Sequence, residues 1–513
     1  MKRYLIFLLF LLALTMAACS DTSDNESISE DESNEQSTLT IATPEDIDSF
    51  DIHDQTSNGS EAILTNMFSY LLKRTDDSDE PANDVAESYE SIDDKTWEFK
   101  LKEGVTFHNG DPLTAEDVKF TYERVAFDDS LSRHSYFENI KEVEVIDDLT
   151  VHFHTHETEP LMVSKISRNG SGILPKEYIE ENGIDHFLEE PVGSGPYKLK
   201  EWEKDSKVVL EPFDDYFEED KSDWEEVVFR IIPETSTRVG ELLSGGVDII
   251  NEVPPSEWDR VDDNDGTSLI DGASTGVMQL IVKQTDDYIT SDPKIREAID
   301  YAIDKKAIVE NLYQGSGEPI QSGVPEGVFG YDPELLDSYN YDVDHAKKLL
   351  EEANYDGTEI KLQSPNGRYT LDKDVAEMVG SMLEEAGLNV QVELMEDSHF
   401  IDVYSAEENE ELMLISLTNS LFDAHHALEY FPSDASGLTG YNNSDFDELF
   451  EKSTSTMDPD EREKELQELQ KMALEDRPNI FLFQMNKAYG VNDAIDFEPT
   501  ITEHFYIPTI SKK

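Results

Sequence analysis

A single cysteine, Cys19, serves a chain of 513 residues. One thiol excludes an intramolecular disulfide and any cysteine cage for a metal, so the folded body must be held by packing. Basic residues are also scarce: 40 Lys and Arg stand against 115 Asp and Glu, for a net charge of −75. The acids run through the whole chain rather than gathering in a tail. Nucleic acid and anionic lipid both demand a basic surface, and neither suits this one. Such a charge fits strong salt, where screening is short-ranged, and points to a halophilic or alkaliphilic source. Long apolar runs are missing apart from one near the N-terminus, residues 4–14, shorter than the roughly 20 residues of a spanning helix. There is no zincin motif, no phosphate-binding loop with its lysine and no Gly-x-Ser-x-Gly elbow, which removes the common signatures of catalysis. No cofactor and no catalytic residue is expected, and a secreted peptide hydrolase is only a distant alternative.

What is present starts with that apolar run. Lys2 and Arg3 precede it and Ala17–Ala18 follow it, the layout of a secretory signal. Met16-Ala17-Ala18-Cys19 resembles a bacterial lipobox, in which the cysteine sulfur takes a diacylglycerol and becomes the new N-terminus. Two or more acyl chains anchor firmly where one does not. Residues 1–18 thus read as a lipoprotein signal peptide and Cys19 as the lipid attachment point. The alternative is an ordinary secreted terminus with an incidental cysteine. Residues 19–37, dominated by acid and serine, cannot bury enough apolar surface to offset ordering and read as a disordered tether. The expected location is the extracytoplasmic face of a cell membrane.

The remaining body is long enough for several lobes. Residues 38–42 read as a first strand, and 61–72 have helical apolar spacing. Thr96 to Leu101 alternate strictly, as in a half-buried strand, and Thr114 opens a helix with acids in its first turn. Residues 143–156 read as two strands around Asp147–Asp148. Segments 294–308, 344–353, 372–386 and 460–474 are amphipathic helices, alternating with strands such as 359–363 and 389–394. Gly193, Gly195 and Pro196 mark a sharp turn, the glycines supplying positive φ. The pattern is mixed α/β with two or more lobes.

Seven blocks then fall in order: "NMFSYLL", "WEFKLKEGVTFHNGDPLTAEDVKFTYERV", "PVGSGPYKLKEWEKDSKVVLEPFDDYF", "RIIPETSTRVGELLSGGVDII", "DPKIREAIDYAIDKKAI", "SPNGRYTLDKDVAEMVGSMLEEAGLNVQVEL" and "GYNNSDFDELFEKS". Together they resemble the extracellular solute-binding proteins of ABC importers in the peptide/nickel class. The resemblance runs from about Leu39 to Pro508. It implies a type II periplasmic-binding-protein-like fold, hinged, with two ligand-clamping lobes and an extra small one. Lobe I would take 38–66, 190–275 and 481–513, the small lobe II 67–189, and lobe III 276–480, with hinges near Thr275 and Phe481. The implied function is capture of a di- or oligopeptide or glutathione-like solute, or alternatively of nickel or a nickel metallophore. The implied partners are the permease subunits with their ATPases, and the receptor is expected to be a monomer.

The family's third-lobe ligand loop often reads Trp-x-x-Asp-x-x-Asp-Pro. Here the matching stretch is Leu417-Thr418-Asn419-Ser420-Leu421-Phe422-Asp423-Ala424. Only the second Asp is kept, as Asp423. The first, which pairs with the peptide amine in oligopeptide binders, is Ser420. Asp423 is a candidate ligand contact, with a loop cap as its structural alternative. Arginine matches a carboxylate best because its planar donors meet both oxygens. Among twelve arginines, Arg133, Arg168 and Arg368 lie in candidate cleft loops, with pairing to surface acids as the alternative. Tyr136, Phe137 and Tyr441 are candidate pocket walls, and Asn442 and Asn443 candidate partners for peptide groups. His425 and His426 sit in the ligand loop as weak metal candidates. His152, His154 and His156 alternate along a strand and so share one face, able to hold a divalent cation or simply to form an exposed polar surface.

Overall fold

A computed structural model describes residues 38–513 except 56, 75–79, 169, 219–221 and 340. The signal-peptide, lipid-attachment and tether expectations, with Cys19, lie outside the described residues. No helix among those described is long and apolar enough to cross a membrane.

Two sheets organise the body. The large one is mixed and runs in the order Asn389–Met395, Glu359–Pro365, Leu412–Thr418, Thr267–Val282, Asn479–Asn492, Ile249–Ile250, Thr38–Thr43, Glu226–Ile231, Lys207–Pro212, Tyr197–Glu203. Its two long central strands, Thr267–Val282 and Asn479–Asn492, pair antiparallel along their length. Their register shifts between Ala273 and Val277, a bulge that bends the strand there. Ser274 fills the irregularity: its Oγ donates to Met485 O at 2.8 Å and accepts from Gly276 N at 3.1 Å.

The small sheet is antiparallel, in the order Ala86–Asp93, Thr96–Leu101, Thr150–Thr155, Ile140–Asp147. Its alternation follows the expected pattern. Trp97, Phe99, Val151 and Phe153 point inward, while His152 and His154 face out. The helix Ala115–Phe127 lays Val118, Tyr122 and Val125 on the inner face. It starts with a capping box in which the Thr114 N–H donates to Asp117 Oδ2 at 2.9 Å.

The apolar residues cluster accordingly. One core joins Leu39, Ile41, Phe68, Phe229, Tyr489 and Phe505 from distant parts of the chain. A second lies between 71 and 173, and a third between 278 and 485.

Three local expectations are corrected. The helix foreseen over 294–308 is two helices, Pro293–Ala302 and Lys305–Leu312, because Asp304 caps the second by accepting from Ala307 N at 3.0 Å. The helix foreseen over 61–72 is Asn58–Leu64. Just beyond it, Asn66 bonds the C-terminal segment, donating to Phe505 O at 2.7 Å and accepting from Ile507 N at 2.8 Å. Gly193 and Gly195 do not adopt positive φ. They are glycines because the chain 66–68 lies against them: a Cβ on Gly193 would sit 1.9 Å from Met67 O, and one on Gly195 2.6 Å from Asn66 O.

Candidate functional site

The loop after the first strand and the helix Asn58–Leu64 bring Glu61 inward. Glu61 is fully buried, accepts from the Gln55 side-chain amide, and has Arg133 Nη2 at 3.7 Å. Beside it Arg124 grips Asp51 with two bonds, 2.9 Å to Oδ1 and 2.6 Å to Oδ2, and has His53 Nδ1 at 2.7 Å. Gly170, at φ +83°, lets the chain pass close to Arg133; a Cβ there would meet Arg133 Cγ at 3.1 Å. The next cation is Arg168, which follows the helix Met162–Ile166. Its guanidinium lies 3.4 Å from the Tyr136 ring centre, and Nη2 donates to Ser420 Oγ at 3.2 Å. Only 2% of Arg168 is exposed, yet its Nε and Nη1 have no hydrogen-bond partner among the described residues.

The electrostatics follow from burial. Desolvation pushes the Glu61 carboxyl up to about 7, against the pull of Arg133, Arg168 and the Gln55 bond. Burial brings Arg168 down to about 10, opposed by Tyr136 and Glu61. Glu429, close enough to feel the charge of Arg168, is raised to about 7 by desolvation, although Tyr430, Lys165 and Arg168 counteract it. His425 and His426 fall to about 4, again mainly by burial, and are neutral at pH 7.

The stretch 416–422 strings together three cavities. At the crossing strands lies one of about 210 Å³, bordered by Glu252, Ser274, Arg368, Ser416, Thr418 and Lys487. A second, of about 40 Å³, is lined by Gln279, Leu417, Asn419, His426 and Tyr430. A third, of about 30 Å³, holds Arg168 with Phe68, Lys73, Phe422 and Tyr506. The two small ones admit a few waters at most; of the three, a ligand needs the one of about 210 Å³, or a cleft formed by movement of the walls.

Of the residues singled out in the sequence, Arg133, Tyr136 and Arg168 come together. Phe137 belongs to the small-sheet core, and Asn443 caps the helix Ser444–Ser453. Arg368 borders the cavity at the crossing strands, paired with Asp397 at 2.9 Å. Tyr441 is buried and donates to Asp476 Oδ2 at 2.7 Å, while Asn442 is exposed. Asp423 is buried as the cap of Ala424–Leu428, accepting from His425 N at 2.9 Å and clamped by Arg462 at 2.7 and 2.8 Å. His425 stacks on Phe450, with ring centres 4.9 Å apart. Glu61 and Glu429 were missed. Glu61 had a signal: it stands one turn before Leu64 on the helix Asn58–Leu64, so an acid sits on the apolar side.

A bulged pair of long strands thus carries the chain between separate cores, beside a small cavity that holds a buried cation. The model of the bacterial extracellular solute-binding proteins, family 5 (middle region), matches residues 80–438. The chain belongs to that family, whose members bind rather than transform their solutes. Among relatives, it is 26% identical over 477 residues to the probable D,D-dipeptide-binding periplasmic protein DdpA of Escherichia coli, covering 89% of this chain and 90% of that one. It is also 26% identical over 530 residues to the oligopeptide-binding protein AppA of Bacillus subtilis, covering 96% and 95%. In fold it is similar to the ABC transporter substrate-binding protein CtaP of Listeria monocytogenes, with TM-score 0.84 at 21% identity over 93% of this chain and 99% of that one.

Proposed function

We propose that this protein is the lipid-anchored receptor of an ABC importer and takes up a small peptide or peptide-like solute through its carboxylate. The observation that carries the reading is Arg168: a buried guanidinium with two unpartnered donor atoms, in a chain of net charge −75. Leaving such donors dry costs free energy that a ligand carboxylate recovers through charge-assisted bonds. Glu429, near enough to feel Arg168, stands where an ammonium would be favoured. Arg168 and Glu429 together suit a zwitterion. The relatives named for peptides support the class.

In this reading lobe I comprises 38–66, 190–275 and 481–513, lobe II 67–189 and lobe III 276–480. The crossings at Thr275 and Phe481 hinge, and closure on ligand shifts an open–closed equilibrium that the permease reads. Cys19 carries the lipid that holds the body on the extracytoplasmic face. A nickel chelate is the second reading, favoured by neutral His426 lining the middle cavity.

Native mass spectrometry of gently purified protein tests this. A co-purified peptide mass, lost in Arg168→Gln, is expected. A metal-chelate mass, or peptide retained undiminished by the variant, would overturn the assignment.

A further inference from the structure

We propose that the outer face of the small sheet carries a divalent transition-metal site, separate from the ligand cleft, built from His152, His154 and Glu144 with Glu98 as a fourth donor. The two histidines are adjacent outward positions on Thr150–Thr155, the central partner of both neighbours. One donor atom from each of His152, His154 and Glu144 lies within 4.8 Å of the others. Tetrahedral donors around a zinc-sized ion at about 2.1 Å stand roughly 3.4 Å apart, a contraction that small side-chain rotations supply. Each imidazole already points Nε2 at a carboxylate: His154 to Glu144 Oε2 at 3.0 Å, His152 to Glu98 Oε2 at 2.9 Å.

The surroundings suit a cation. His154 Nδ1 lies 3.3 Å from Thr96 Oγ1. When Nε2 binds metal, Nδ1–H donates to that hydroxyl, which orients the ring as outer-shell partners commonly do. Glu142 and Glu90 share the face, in register with His154 and Glu98. The competing cation is Lys100, half exposed, at 2.8 Å from Glu98 Oε1; it leaves Oε2 to the histidine side. His156 lies past the end of the strand and is not part of the set. Two imidazoles with two carboxylates favour zinc, nickel or copper over magnesium or calcium. Bound there, the ion would tie three strands of the small sheet together on the face opposite its core.

Calorimetric titration of the metal-free full chain with zinc chloride tests the proposal, followed by cobalt(II) absorption to report the ligand set. One saturable equivalent is expected, with cobalt bands of a four-coordinate site. His152→Asn with His154→Asn should abolish it, and Thr96→Val should weaken it about tenfold. These side chains are half-buried on the outer face and lie outside the core, so melting without metal should change little. His425→Asn with His426→Asn should leave the titration intact. No saturable zinc, or zinc lost with the His425 and His426 pair but not with His152 and His154, would overturn the site.

Discussion

Replacing Asp423 by Ala separates two roles that the ligand-loop position suggests, contact with ligand and support of the loop. Its carboxylate takes two bonds from Arg462, at 2.7 and 2.8 Å, and caps the helix Ala424–Leu428. Asp423 and Arg462 are each about 3% exposed at the side chain. The Arg462 Nε also donates to Ser453 O at 3.1 Å, so the guanidinium stays in place when the acid is removed. Breaking one side of a buried pair costs about 3–5 kcal/mol, because a charge is left without compensation. The lost cap adds about 1 kcal/mol. For a body of this size each kcal/mol lowers the melting temperature by roughly 1 °C, giving a drop of roughly 4–6 °C. Differential scanning calorimetry at pH 7 measures it, and Asp423→Ala combined with Arg462→Met should recover much of the loss. If Asp423→Ala melts within a degree or two of the parent yet no longer binds ligand, the support role is wrong and Asp423 is a ligand contact.

Arg168→Gln should weaken binding of a carboxylate-bearing ligand by about 1.5–3 kcal/mol, roughly 10- to 150-fold, with little loss of melting temperature; isothermal titration shows whether affinity and stability separate in this way. Gly193→Ala should be poorly folded, since its Cβ would fall 1.9 Å from Met67 O; a soluble variant melting near the parent would contradict the close approach. Burial raises Glu61 from 4.5 to about 7, so between those values the folded state holds more protons than the unfolded state. Stability must then fall as pH rises through that window, by on the order of 3 kcal/mol. Glu61→Gln should flatten that part of the urea-denaturation profile, and an unchanged slope would show that Glu61 does not titrate there.

Much of the fold is legible locally. Thr96 to Leu101 and Thr150 to Thr155 alternate as strands because one face is buried, and Thr114 caps its helix through neighbours in the chain. The break at Asp304 was hidden because apolar spacing continues across it, and a capping side chain decides the matter. The site was half legible. Arg133 and Arg168 could be nominated as cations suited to a carboxylate and Tyr136 as a pocket wall, and the three side chains do come together. Asp423 looked the same in sequence, but its partner Arg462 is 39 positions away.

By itself, then, the sequence determined the alternation of elements, the scarcity of cations that makes each buried arginine conspicuous, the family, and the lack of any disulfide. These depend on periodicity, composition and short-range capping, which act within a turn or two of chain. Tertiary structure alone decided which glycines were needed for close approach, which acid lay beside which guanidinium, and which imidazoles met Glu144 and Glu98. Those depend on surfaces brought together from distant segments, as when Asn66 bonds Phe505 across 439 positions. Desolvation at such meetings, rather than residue type, sets the protonation of Glu61 near neutral pH.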